Sequence, residues 1–233
     1  MSSALKNMAS LVLIPFNLSA LWALGVFFPV FSLKSRETVF FLSGLAVYSI
    51  LYLKFPQRFS GLYILAHELS HALWGLVRGN RIKKISVGKN SGYVLFSKKT
   101  DFWTAMAPYI FPFYAFAAAA VFFTVSLFQD LHAWRNWFLG LEGFFLGFHF
   151  FNTASVMTSS IQSDFKKTRA PFFSYLAVFS LNILFLALIL KLLFPQKAGL
   201  GIFFSALYSN FKMLISAFFS LLTRITLIIW RAA

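Results

Sequence analysis

The sequence predicts an all-α polytopic membrane protein with six or seven transmembrane helices and one small β-hairpin. Three observations carry that expectation. Hydrophobic residues fill 59% of 233 positions and only 12% are charged, about half the charged share of an ordinary soluble domain. The apolar residues come in runs close to the ~20 that a helix needs to cross the hydrocarbon core. The basic residues, which set a net charge of +15, cluster briefly between those runs, as orientation signals do. Lipid is therefore the solvent, and the positive charge does not point to nucleic acid. A mean hydropathy of +0.75 exceeds what one aqueous core can hide.

The first run extends from Met8 to Phe31. It lacks a small-residue cleavage site, so it reads as a retained helix rather than a signal peptide. The second covers Thr38 to Leu53. A third, shorter and less purely apolar, runs from Gly61 to Val77. It ends at Arg78-Gly79-Asn80, a cation followed by residues suited to a left-handed cap. The segment Arg81 to Lys99 differs in kind. β-prone residues from Ile82 to Val87 and from Tyr93 to Phe96 flank the turn signal Lys89-Asn90-Ser91-Gly92, which predicts a hairpin. Further spans are expected at Phe102–Phe128, Trp137–Met157 and Pro171–Phe194. The stretch from Leu200 to Trp230 is interrupted by Lys212 and Arg224, so it reads as a kinked span or as an interfacial helix.

No linker or repeat divides the chain. It reads as a single integral membrane domain over residues 1–233, with a core at about 61–170 and extra helices at 8–55 and 171–230. Twelve Lys and Arg residues follow spans one, three and five, against six on the opposite side. That asymmetry puts the hairpin and the Lys166 loop in the cytoplasm and the N-terminus outside. Cysteine is absent, which excludes disulfides, thiol nucleophiles and Cys-based metal sites.

Ionisable residues within spans are expensive and point to function. The chain has six acids and four histidines, and the third span carries His67, Glu68 and His71. Two imidazoles four residues apart project from one helical face and can share an ion. Glu68 stands beside the first of them, positioned to accept a proton from water activated there. This is the His-Glu-x-x-His zinc arrangement of metalloproteases. A catalytic zinc takes three protein ligands and leaves one position open. Asp164, in Gln162-Ser163-Asp164-Phe165, is the leading third ligand; it could instead cap the next helix or pair with Lys166 and Lys167. His149 and Glu142, seven residues apart on one face of the fifth span, are the alternatives. Asp101 and Asp130 sit at span ends, where solvated charges are ordinary.

With His67-Glu68-Leu69-Ser70-His71 in an apolar helix, the sequence resembles the site-2 protease family of intramembrane zinc metalloproteases (M50-like peptidases). The hairpin from Ile82 to Phe96, the later Ala107-Pro108 and an aspartate near another span's end extend the resemblance over about residues 61–170. It implies one zinc ion per chain, a membrane-anchored protein substrate and a bacterial cytoplasmic membrane. The family's Asn-Pro…Leu-Asp-Gly signature is missing, with Asn152 and Gln162-Ser163-Asp164 near its place, and no PDZ-like domain is inserted. This makes the chain a minimal core form. On that footing Glu68 is the general base, Asn152 is a candidate oxyanion donor, and the Tyr93–Phe96 edge could pair with an opened substrate strand. An inactive relative that only binds a membrane partner is the main rival, and intact Glu68 weighs against it. A transporter or ion pathway would predict repeats in two halves, which the sequence lacks. Gly143-xxx-Gly147 reads as helix packing, and His132, near Trp134 and Trp137, as interfacial.

Overall fold

The computed structural model describes residues 3–56, 58–88, 91–159 and 162–232. Lys89 and Asn90 of the expected turn lie outside the described residues. The chain is mostly helical and divides into two compact units. One comprises residues 31–178, and the other residues 1–30 with 179–233.

The larger unit begins with α2 (Arg36–Lys54) and α3 (Ser60–Val77). A hairpin follows, formed by β1 (Ile82–Val87) and β2 (Gly92–Phe96), paired antiparallel with an irregularity between Ile82 and Lys84. Then come α4 (Phe102–Ile110), α5 (Phe113–Ser126), a 3₁₀ turn at His132–Trp134, α6 (Arg135–Ser159), the short α7 (Ser163–Lys167) and the start of α8 (Pro171–Leu193).

The expected span Phe102–Phe128 is not one helix. It breaks between α4 and α5 with a bend of 78°. Pro112 accounts for the break, because a residue preceding proline is driven out of the α region, and Phe111 adopts φ −97°, ψ 109°.

α2 and α6 pack at backbone contact. A Cβ on Gly44 would overlap the Gly140 carbonyl, and one on Gly143 would overlap that of Phe41. The pair is tied at one end by Arg135 Nε to Glu37 Oε1 at 2.9 Å. At the other end Asn152 Nδ2 donates to Tyr48 Oη at 2.6 Å. Gly143 and Gly147 therefore serve packing, since small residues let helices approach where lipid supplies no hydrophobic drive. Between α5 and α6 runs an apolar groove of about 590 Å³, lined by residues such as Ala117, Phe122, Trp137 and Phe145 and by no ionisable acid, base or histidine.

The smaller unit holds α1 (Ser3–Ala23), continued by a 3₁₀ turn from Leu24, the rest of α8, and α9 (Leu200–Ala232). The 3₁₀ segment and α9 pack through stacked Phe27 and Phe203, 5.5 Å apart. Ser180 Oγ donates to Asn17 Oδ1 at 2.6 Å. α9 is one continuous helix rather than an interrupted one. Its second half exposes Phe218, Phe219, Leu222 and Leu227.

Among the described residues four helical stretches are long and apolar enough to cross a membrane: 4–31, 36–54, 171–193 and 200–227. The bent α4–α5 pair makes up to five. The expected count of six or seven exceeds this because α3 and α6 carry polar residues that lower their hydropathy.

Candidate metal centre

α3 stops where its sequence dictates. Gly79 takes φ +69°, and its N–H and that of Asn80 bond back to Leu76 and Gly75 carbonyls at 2.9 and 2.8 Å, the Schellman arrangement. Asn80 then closes the hairpin's base: Nδ2 donates to the Lys98 carbonyl and Oδ1 accepts from Lys98 N–H, both at 3.0 Å. The hairpin folds back along α3, and Phe96 lies so close over Gly75 that a Cβ there would overlap its ring. Four strand residues advance about 13 Å and seven helical ones about 10.5 Å. Gly92 at the strand's other end therefore lies over Glu68, where an added Cβ would come 2.6 Å from Glu68 Cγ.

α4 is fixed against the end of α3. Asp101 caps it by accepting from Thr104 N–H at 2.9 Å and pairs with Arg78 Nε at 2.7 Å. Burial would raise the Asp101 pKa, but these hydrogen bonds from Thr104 and Arg78 outweigh it and hold the carboxyl below its ordinary value. Asp101 is thus a structural cap rather than a freely solvated charge. Farther along α4, the Thr104 carbonyl accepts from His71 Nδ1 at 2.7 Å, and Tyr109 meets the His67 ring edge-on at 5.3 Å.

α7 is too short to hold itself and is held by Phe165. That side chain is fully buried, stacked on Tyr175 at 4.3 Å and edge-on to Tyr109 at 4.8 Å. The anchored turn directs Asp164 toward α3. Asp164 Oδ2 lies 3.5 Å from His67 Nε2 and 3.4 Å from His71 Nε2. The same oxygen accepts from Tyr109 Oη at 3.2 Å, and Oδ1 accepts from Lys167 Nζ at 2.9 Å. Histidine-facing and lysine-pairing contacts of Asp164 therefore coexist, one on each oxygen. Burial alone would raise its pKa, but the facing imidazoles of His67 and His71 and the paired Lys167 drive it far below the carboxylate range.

His67, His71 and Asp164 each offer a ligand atom within 4.8 Å of the others, and among the described residues this is the group that could hold a metal ion. A tetrahedral zinc with bonds of about 2.0–2.1 Å would separate its ligand atoms by about 3.3–3.4 Å, close to the two histidine–carboxylate spacings, while the three ligand atoms as a group lie within 4.8 Å of one another. The donor set also fits in chemistry. Thr104 engages the far nitrogen of His71, and Tyr63 Oη lies 3.4 Å from that of His67, so both Nε2 atoms face the carboxylate. Such outer contacts orient metal-ligating imidazoles. The three groups and Glu68 open into a polar cavity of about 310 Å³, which Ser91, Gly92, Tyr93, Val94 and Phe96 also line.

The other sequence candidates lie elsewhere. His149 borders a neighbouring small cavity together with Tyr63 and His67 and is not part of the ligand group. Glu142 is buried within α6, its Oε1 without a hydrogen-bond partner among the described residues. Asn152 donates both to Tyr48 and to the Phe148 carbonyl, at 2.6 and 2.7 Å. Its amide group is engaged in packing contacts, as a buried asparagine bonding backbone would be. Sequence reasoning passed over Tyr63, Tyr109, the Thr104 carbonyl and Gly92. Of these, Gly92 stood only as the last residue of the turn signal, and Tyr109 directly after Ala107-Pro108.

No curated protein and no solved structure matched the chain. Residues 38–161 match the Peptidase M50B-like family, a region that starts in α2, contains the motif helix and hairpin, and ends just before α7. More than half of the sequence is covered, and the chain belongs to the Peptidase M50B-like family.

Proposed function

We propose that this protein is a zinc-dependent intramembrane endopeptidase acting on membrane-anchored protein substrates. The observation that carries the reading is the convergence of His67 and His71 Nε2 on Asp164 Oδ2, at 3.5 and 3.4 Å, beside Glu68 in one polar cavity. Family membership supplies the peptidase class.

In this reading His67, His71 and Asp164 hold one zinc ion. When bound, zinc supplies Lewis acidity, lowering the pKa of a water and polarising the scissile carbonyl. Glu68 accepts the water's proton and delivers it to the leaving amine. Lys167 and Tyr109 hold the two Asp164 oxygens in separate directions, so one oxygen stays turned to the histidines. A substrate helix hides its carbonyls and must open locally. The β2 strand, lining the cavity, offers an edge on which the opened segment pairs.

The chain acts as one integral domain of seven spans, or six if α9 lies in the interface. Helices α3 and α6, at about 27 and 38 Å from their lengths, cross with their polar residues turned inward. The hairpin and the Lys166 loop face the cytoplasm of a bacterial inner membrane, in keeping with the Lys and Arg asymmetry.

The test is to purify wild type and Glu68→Gln in detergent, measure zinc per chain and challenge both with a panel of membrane-anchored peptides. Near-stoichiometric zinc in both, with cleavage by wild type alone, is the expected result. Zinc in both with cleavage by neither favours an inactive binding relative. Absence of zinc from both sinks the site.

A further inference from the structure

His71 is oriented by a backbone carbonyl that in an ordinary helix would already accept the ladder bond. The Thr104 carbonyl, which accepts from His71 Nδ1 at 2.7 Å, lies within the α-helix Phe102–Ile110. In a regular helix it would be occupied by the N–H four residues later. Residue 108 is proline, which has no N–H and whose ring pushes the carbonyl four residues back out of line. The helix carries on past it, since Phe111 N–H bonds to the Ala107 carbonyl at 2.8 Å. The donor that Pro108 withholds is therefore the one the carbonyl used by His71 would otherwise meet.

We infer that Pro108 is a positioning residue for His71: by withholding a donor it reserves the Thr104 carbonyl for the imidazole and so aims Nε2 at the metal position. A carbonyl only accepts, so Nδ1 carries the proton and the Nε2 lone pair is left for the ion. Three separate features of the sequence become one device: the second histidine of the motif, a proline 37 residues later in the chain, and the threonine four before that proline. Proline inside a helix weakens the helix. Its replacement by alanine should strengthen α4 while loosening the site, and a purely structural proline would not produce that opposition.

The inference rests on the metal-site reading, and the experiment separates the two. Full-length wild type, Pro108→Ala, and a variant with lactic acid at position 108, which restores neither N–H nor ring, are purified in detergent. Zinc affinity is measured by chelator competition, thermal midpoint on metal-free protein, and the His71 tautomer by ¹⁵N shifts of the metal-free imidazole. Pro108→Ala should bind zinc about 10- to 100-fold more weakly, melt no lower than wild type, and lose its fixed Nδ1–H tautomer. The lactate variant should stay near wild-type affinity and tautomer. Wild-type affinity in Pro108→Ala, an equal loss in the lactate variant, or a lowered midpoint in Pro108→Ala would each overturn the role. If wild type itself fails to bind zinc, the metal-site reading falls, and the tautomer comparison still decides whether Pro108 orients His71.

Discussion

Gly92→Ala tests whether Glu68 works where β2 covers it. The Gly92 backbone lies outside the left-handed region, so alanine meets no conformational penalty and the substitution probes space alone. Its Cβ would sit 2.6 Å from Glu68 Cγ and 3.0 Å from both Glu68 Oε1 and Ile64 Cγ2. Carbon atoms make good contact at about 3.5–4.0 Å, so about 1 Å must be found by moving Glu68 or lifting the strand. A reacting group displaced by about 1 Å can lose about 10²-fold in rate, equivalent to about 2.7 kcal/mol of barrier. None of the three nearest atoms belongs to His67, His71 or Asp164, so zinc should remain near one per chain. Turnover of a cleavable membrane-anchored peptide, with zinc content measured on the same sample, reads both effects. Gly61→Ala, on the same helix with nothing within 4 Å of the added carbon, is the control and should keep wild-type turnover. Gly92→Ala turning over at the wild-type rate would refute the argument that the strand and Glu68 share this space.

Asp164→Ala should lower zinc affinity by more than the roughly 10- to 100-fold that an outer contact supplies, while His149→Ala should leave it near wild type; chelator competition on both variants decides the third ligand. Tyr48→Phe removes the acceptor of a buried Asn152 amide hydrogen and should destabilise the larger unit by about 1–3 kcal/mol without changing zinc content, read by reversible unfolding in mixed micelles. The Asp101 cap has a folded-state pKa below its unfolded one. Its contribution is therefore complete above the unfolded value near ~3.9 and is lost as pH falls through the lower folded value. Wild type should lose thermal midpoint over that acidic window, and Asp101→Ala should show a flatter dependence there.

The spans were legible wherever hydropathy alone decides. Helices α2 and α8 fall within a few residues of expectation because their apolar runs are long and little interrupted. The cap at Gly79 and the hairpin were equally legible, since left-handed glycine and β-prone runs around a turn signal are local physics. The α4–α5 break was written in Pro112 but masked by the uniform hydrophobicity of Phe102–Phe128, where a window average cannot see one missing N–H. The third member of the His67, His71 and Asp164 group was harder for a different reason. Helical periodicity puts His67 and His71 on one face, but it does not say which remote carboxylate reaches that face. The deciding residue is Phe165, whose burial between Tyr109 and Tyr175 turns the neighbouring aspartate inward. In a chain with 33 phenylalanines, no single one announces such a task.

The two helices that fall short of a plain membrane span are also the two on which the larger unit is built. α3 is lowered by His67, Glu68, Ser70 and His71, and α6 by Glu142, His149, Asn152 and Thr153; of these eight, all but His67 and His71 are buried, and those two line the polar cavity. Polar atoms at bilayer depth must find partners inside the protein. On α6 Asn152 finds them in Tyr48 and in the Phe148 carbonyl, and the Tyr48 bond ties α6 to α2. On α3 they meet one another through Asp164. A weak hydropathy signal flanked by strong ones therefore marks a helix whose polar residues are used in the interior, and in this chain that signal falls on the motif helix. The same logic gives Glu142 its interest: a buried carboxylate oxygen without a hydrogen-bond partner among the described residues is costly to retain. Glu142→Gln should thus be tolerated or stabilising, and a variant that folds less well would mean that α6 draws on the carboxylate itself.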